Sequence, residues 1–558
     1  MHLLRLVPAL LITAAAATAV EQTPIPIGDH EVVVVYGDSI TEQNLYAAFI
    51  ESFLLTRFPE KDLQIYNFGW GGDTAEGGNA RFARDVAPVK PTLVTVDFGM
   101  NDGRYTNGPD QGIRDAYLAA QRKLAATIKA AGAREILLTT SPIDYDKRAD
   151  EDGYNEALAL MADGVLALGT ELGLQTADIF HPMREVQKQA KTATPGFTML
   201  PDSVHPDLVG HLVMAYAVLR RIDAPQEVGT IAIADGKAVA TGGASVAQLV
   251  ADSGTLSFAL TLKFLPCPVP GPARPGLALV PFQQELNHLG LTVAGLNASA
   301  SYGLSADGTE FAAFTGAQLA AGVDLALLDK APWTIAANRV WELGQLRWTR
   351  HFDGWRRIGM PNDPLLKALP ATAALAKATA DYVAELGSAM RQAAKPGTWK
   401  LTIGRSAALA VSALELAAPI ATAGDFATRY LPETAPDTVA WKSVPFNGVI
   451  DYIQTFGQKD DCVVYARVVL DADRDCAVNL SMGSDDGLEV IVNGTAIFSN
   501  NVSRGVRVGE DAAEAKLVKG RNTLLFRVSQ GGGGFGFALT AKVIGDAVVS
   551  QVMPAAKP

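Results

Sequence analysis

Four short stretches of the chain carry side chains suited to acyl transfer. Gly37-Asp38-Ser39-Ile40 offers a hydroxyl. Asn67-Phe68-Gly69-Trp70-Gly71-Gly72-Asp73-Thr74 offers a glycine-rich turn. Gly99-Met100-Asn101-Asp102 offers a side-chain amide. Asp202-Ser203-Val204-His205-Pro206 places a carboxylate three residues ahead of an imidazole. A serine hydroxyl is a weak nucleophile until a base takes its proton, and histidine does this near neutral pH. A carboxylate beside that imidazole fixes its tautomer and stabilises the imidazolium. The tetrahedral oxyanion needs donors already in place. The N–H groups of Ser39 and Gly72 and the amide of Asn101 make three, each typically worth about 3–4 kcal/mol.

The elements that must position these groups are legible on either side of them. Val32–Tyr36 is a continuous β-branched run, the pattern of a strand buried on both faces. Strands are also predicted over 63–68, 92–98, 135–140 and 174–179, with helices over 45–58, 113–131, 153–172 and 211–221. This alternation predicts a parallel sheet with helices on both faces, ending near residue 225. In such sheets sites form beyond the carboxyl ends of the strands. The first three motifs each follow a predicted strand, and the fourth directly precedes the closing helix.

These four blocks, in this order, resemble the SGNH (GDSL-like) hydrolase family over roughly residues 30–222, with GDSI standing where many members have GDSL. The resemblance implies a flavodoxin-like α/β/α three-layer domain and ester hydrolysis through an acyl-enzyme. It implies Ser39 as nucleophile, His205 as base, Asp202 as its partner, and Gly72 and Asn101 as oxyanion donors beside the Ser39 N–H. Gly69 and Gly71 compete with Gly72, which is preferred because it directly precedes Asp73-Thr74, as in many members. Trp70 and Asp38 are candidate substrate-lining residues. Trp70 reads equally as a sugar-stacking platform or a packing residue, and Asp38 also as the holder of its own turn. Asp102 reads as a helix cap, and His211, inside the closing helix, as structural. His181 precedes Pro182 after a strand and is placed to line a cleft. It is set aside for want of an upstream Asp in the His205 geometry.

Beyond residue 225 the texture changes. Residues 226–330 hold short β-like pieces broken by Gly, Pro and Asp, and 331–404 is a helical region interrupted near Gly359-Met360-Pro361. Trp333, Trp341, Trp348 and Trp355 recur at helical spacing, which reads as a core or docking stripe. Residues 405–440, rich in Ala, Pro and Thr, read as a linker. Residues 441–550 alternate as strands, with Asn493-Gly494 as a tight turn. They resemble the jelly-roll modules of exported carbohydrate-active enzymes through Gly483-Ser484-Asp485-Asp486-Gly487 and Lys519-Gly520-Arg521-Asn522-Thr523. Asp485, Asp486, Asn493 and Gly494 also read simply as turn formers.

Residues 1–19 carry one Arg, a short apolar core and an Ala17-Thr18-Ala19 site, the pattern of a secretory signal peptide. A secreted or periplasmic location follows. No later run of eighteen apolar residues predicts a membrane span. The 558 residues, 48% apolar, give room for three to four domains without disulfide or metal staples, and a net charge of −12 argues against nucleic-acid binding. Cys267, Cys462 and Cys476 are the only cysteines. Cys462 and Cys476 each begin a β run, which predicts that they lie apart and unbridged. No metal-ligand spacing and no cofactor motif occurs. The leading expectation is an exported serine esterase acting on short acyl esters, chiefly acetyl, of carbohydrate. A lipolytic enzyme of the same family (a lysophospholipase, arylesterase or thioesterase) is the alternative. A non-catalytic glycan-binding protein is disfavoured by the intact Ser39, Asp202 and His205.

Overall fold

Val32–Gly37 (β1) is buried along almost its whole length because both of its faces are covered. Four more strands run parallel in the same sheet: Gln64–Asn67 (β2), Leu93–Asp97 (β3), Arg134–Leu138 (β4) and Gln175–Ala177 (β5), in the order β2-β1-β3-β4-β5. The helices are Ser39–Glu42 (α1), Leu45–Arg57 (α2), Ala75–Asp85 (α3), Gln111–Ala130 (α4), Asp152–Leu172 (α5), Phe180–Ala193 (α6) and Leu208–Leu219 (α7). Alternate side chains of β1 enter different cores. Val33 and Val35 pack with α2, α6 and α7, whereas Val34 and Tyr36 pack with α3 and α4, which makes three layers. Ile25-Pro26 pairs in parallel with Ile222-Asp223, so the two ends of this unit meet. In this computed structural model the described residues are 23–144, 152–194, 196–225, 227–252, 254–360, 364–422, 426, 428–545 and 547–553. The predicted export segment, 1–19, lies outside them, as does Pro361.

The following body is built from two sheets. One holds Gly229–Ala234, Lys237–Gly242, Leu289–Val293 and Val323–Asp324. The other holds Ala244–Asp252, Thr255–Leu262, Ser301–Ala306, Thr309–Thr315 and Thr398–Arg405. Thr398–Arg405 pairs with both Thr255–Leu262 and Ser301–Ala306. The helical region is therefore an insertion between strands of one β body, and its predicted extent to residue 404 is corrected. Its two long helices are Pro332–Phe352 (α8) and Pro370–Ala393 (α9), and the chain widens into a π-helical turn at Asp353–Ile358.

Residues 405–440 are not a linker. Ala413–Leu416 is fully buried and pairs with Lys442–Pro445 and Cys462–Ala472. The four residues Ala413-Leu414-Glu415-Leu416 follow an Ala- and Ser-rich run and give too short a period to read as a strand. The C-terminal region then forms two antiparallel sheets. Inward side chains from both, such as Val464 and Val468 against Val478 and Leu480, share one core. Cys267, Cys462 and Cys476 are all unpaired thiols. No helix of the described residues is long and apolar enough to cross a membrane.

Candidate active site

The turn after β1 places Ser39 at the first position of α1, with Asp38 as its N-cap accepting the Ile40 N–H at 3.0 Å. Across the cleft, the turn before α7 is held by Asp202. Its Oδ1 accepts the N–H groups of Val204 (2.9 Å) and His205 (2.7 Å). Its Oδ2 accepts from His205 Nδ1 at 2.7 Å, and His205 Nε2 lies 2.8 Å from Ser39 Oγ. A hydroxyl, an imidazole and a carboxylate thus stand in one hydrogen-bonded line, with the tautomer that leaves Nε2 free to accept the serine proton. Burial raises the Asp202 pKa, but the two backbone N–H groups and the imidazole outweigh it and hold the carboxyl below its ordinary value. The side chain is 58% exposed and His205 33%, so the pair opens onto solvent.

The glycine turn lies against the nucleophile. A Cβ on Gly69 would fall 2.2 Å from the Glu42 backbone nitrogen, so only glycine fits there. Gly69 donates its N–H to Asn67 Oδ1 at 2.8 Å, and Gly71 donates to Glu42 Oε2. Among the described residues no acceptor meets the Gly72 N–H, and Gly72 holds a left-handed φ of 76°. Asn101 Nδ2 donates to the Asp73 carbonyl at 2.9 Å and lies 3.5 Å from Asp38 Oδ2, which sets the amide beside the serine turn.

Four residues that sequence reasoning missed hold this arrangement. Arg81, on α3, is buried. It donates to the carbonyls of Gly37 (3.1 Å) and Phe68 (2.9 Å) and to Asp73 Oδ2 (2.6 Å), tying the ends of β1 and β2 together. No α3 was predicted from the small-residue run Ala75-Glu76-Gly77-Gly78, so Arg81 had no address. Glu42 anchors Gly71. Asp97 is buried at the end of β3, and burial pushes its pKa up to about 7. Burial first, then repulsion from Asp97, drives Asp38 upward as well. Arg356, from the π-helical turn, lies on Trp70. Asp102 accepts the Ala75 N–H at 3.0 Å, capping α3, and burial raises its pKa to about 6.

Other expectations are corrected. Asp38 is 1% exposed and spends Oδ1 on its own turn, so it cannot line a substrate cleft. Trp70 is bracketed by cations, with Arg356 Cζ 3.3 Å from the ring centroid and Arg84 and Arg81 at 5.3 and 5.5 Å. It is a packing residue rather than a free platform. His181 does have an acid three residues upstream: Nδ1 lies 2.9 Å from Asp178 Oδ2, an interaction that raises its pKa. Among the described contacts its ring meets Asp178, Asp163 and Phe180, and no hydroxyl. His211 is buried, with Nδ1 accepting the Tyr46 N–H at 3.2 Å and Nε2 donating to Gln43 Oε1 at 2.9 Å. Burial lowers its pKa to about 3, so it is a neutral brace between α2 and α7. Among the described residues no group of three or more His, Cys, Asp or Glu is placed to hold a metal ion.

Residues 35–213, which hold the sheet and the Ser39–His205–Asp202 line, match the model of the GDSL-like Lipase/Acylhydrolase family. An acetylxylan esterase of Geobacillus stearothermophilus is 27% identical over 216 residues, 35% of this chain and 95% of that protein. Esterase TesA of Pseudomonas aeruginosa is 30% identical over 135 residues, 23% of this chain and 65% of that protein. The solved structure of a gut microbial diltiazem-metabolizing enzyme superposes with a TM-score of 0.61 at 24% identity, covering 69% of this chain and 99% of its own. That last likeness concerns the fold, and it extends well beyond the hydrolase unit.

Proposed function

We propose that this protein is a serine esterase that removes short acyl groups, chiefly acetyl, from carbohydrate. The observation that carries the reading is the Ser39–His205–Asp202 line, at 2.8 and 2.7 Å, inside the segment that matches the hydrolase family. Ser39 Oγ attacks the ester carbonyl as His205 Nε2 takes its proton. The carbonyl oxygen becomes an oxyanion for which the N–H groups of Ser39 and Gly72 and the side-chain amide of Asn101 are the donors. The intermediate collapses to an acyl-Ser39 ester, and the alcohol leaves with the proton from His205. Water, activated by the same imidazole, then releases the acid and restores Ser39.

Carbohydrate as the alcohol is supported by the similarity to an acetylxylan esterase and by the resemblance of the C-terminal sequence, which folds as two antiparallel sheets over one core, to modules of exported carbohydrate-active enzymes. Export, read from residues 1–19, agrees with a polymer substrate outside the cytoplasm. The test compares p-nitrophenyl acetate, longer p-nitrophenyl esters and acetylated xylan, for wild type and Ser39→Ala. Acetate release from both acetyl substrates, abolished by Ser39→Ala, is expected. A strong preference for long chains would move the reading to a lipolytic enzyme. No release from any ester would contradict it.

A further inference from the structure

The helical insertion does more than join two bodies. β2 is an edge strand of the hydrolase sheet, with backbone groups that need cover. One face of α8 and the turn after it tracks that edge. Arg347 Nη1 donates to the Ile65 carbonyl at 2.7 Å. The ring of His351 packs on Phe68 at 5.1 Å. Trp355 meets Phe68 at 4.9 Å and Trp70 at 5.9 Å. Residues 347, 351 and 355 follow at intervals of four, one helical face descending β2 toward the glycine turn. The next residue, Arg356, arrives over Trp70, and its Nη1 lies 3.5 Å from Glu42 Oε2. That same carboxylate oxygen accepts the Gly71 N–H. The helix widens to π geometry only here, at Asp353–Ile358, a distortion frequent at functional sites.

We propose that Arg356 is a positioning residue for ester hydrolysis: supplied from outside the family-matched segment, it holds Glu42 and Trp70, and through them fixes the Gly71-Gly72 turn that aims an oxyanion donor beside Ser39. This rests on the esterase reading above. Glu42 sits on α1, three residues from the nucleophile, so the link joins the serine turn to the glycine turn through one carboxylate. Removing Arg356 takes away the cation that stands on Glu42 Oε2, the atom that also anchors the Gly71 N–H, and so loosens that part of the glycine turn. The donor then fails in the transition state, where it is needed, while substrate binding is little changed.

The test uses the full chain and p-nitrophenyl acetate, with kcat, KM and the thermal midpoint measured for Arg356→Ala, Arg356→Lys, Glu42→Gln and Arg356→Ala/Glu42→Gln. A whole oxyanion donor is worth about 10²–10³ in kcat, so a loosened one is expected to cost roughly tenfold, with KM little changed. Lysine should restore most of the loss, and the double variant should be no worse than the poorer single one. Unchanged kcat in Arg356→Ala, a loss confined to KM, or additive losses in the double variant would overturn the proposal. If Arg356→Ala does not fold, the kcat of Glu42→Gln decides in the same way. An active wild type silenced by Ser39→Ala but indifferent to both changes overturns the positioning role alone. A wild type inactive on every ester removes the esterase reading and this proposal together.

Discussion

Ser39 Oγ becomes a nucleophile only if His205 Nε2 receives its proton, and that tautomer is set by Asp202. The three groups act as a unit. Ser39→Ala with His205→Ala should therefore be no slower than either change alone, which a p-nitrophenyl acetate assay of all three variants checks. Asn101→Ala should lower kcat about 10²-fold with KM nearly unchanged, because its amide meets charge that exists only in the transition state. Steady-state kinetics separate the two parameters. The side chains that meet in the Ser39–His205–Asp202 line are legible in the sequence because each stands in a short motif directly after a strand or before a helix. Their supports are not. Arg81 lies in a helix masked by glycines, and Arg356 is 314 positions from Glu42 in sequence. Nothing local in the sequence announces that Glu42 should face the Gly71 N–H.

At the scale of elements, α8 is the join. Its first turns enter the β body, where Trp333 is buried and donates Nε1–H to the Leu325 carbonyl at 2.9 Å. Its later turns lie on the hydrolase unit, where Trp341 packs on Phe49 at 4.8 Å and Arg347 pairs with Glu51 at 2.7 Å. The tryptophan spacing points to a core or docking stripe but not to its two different partners. Arg347→Ala strands Glu51 among apolar neighbours and should cost about 3 kcal/mol by urea unfolding, whereas Arg347→Met with Glu51→Leu should be near neutral. On β4, burial raises the Glu135 pKa to about 8. Below the unfolded value near 4.5 both states are protonated and there is no penalty. As pH rises from there to about 8 the unfolded chain alone loses its proton, so folding stability falls. Glu135→Gln should therefore match wild type near pH 4 and exceed it by on the order of 1–3 kcal/mol at pH 9, measured by denaturant titration at both pH values. Strands 398–405 and 413–416 escaped the sequence reading for related reasons. The first adjoins long helices, and the second is four residues long; the partners of both lie far along the chain.

For the whole molecule, the four motifs occupy a minor part of 558 residues, and the remainder forms one body tied to the hydrolase unit and one with its own core. The C-terminal sheets share a core that includes no residue of the other bodies. Calorimetry should accordingly show at least two unfolding transitions, with Arg347→Ala shifting only the one that belongs to the hydrolase unit. The net charge of −12 does not choose among esters. The central claim is that Ser39 forms the covalent acyl-enzyme. The most direct test is to incubate the protein with a fluorophosphonate, which traps activated serines, and to map the adduct by peptide mass spectrometry. A single adduct on Ser39, absent in His205→Ala, is the predicted result. A protein that stays unmodified, or carries its adduct on another residue, would contradict the account.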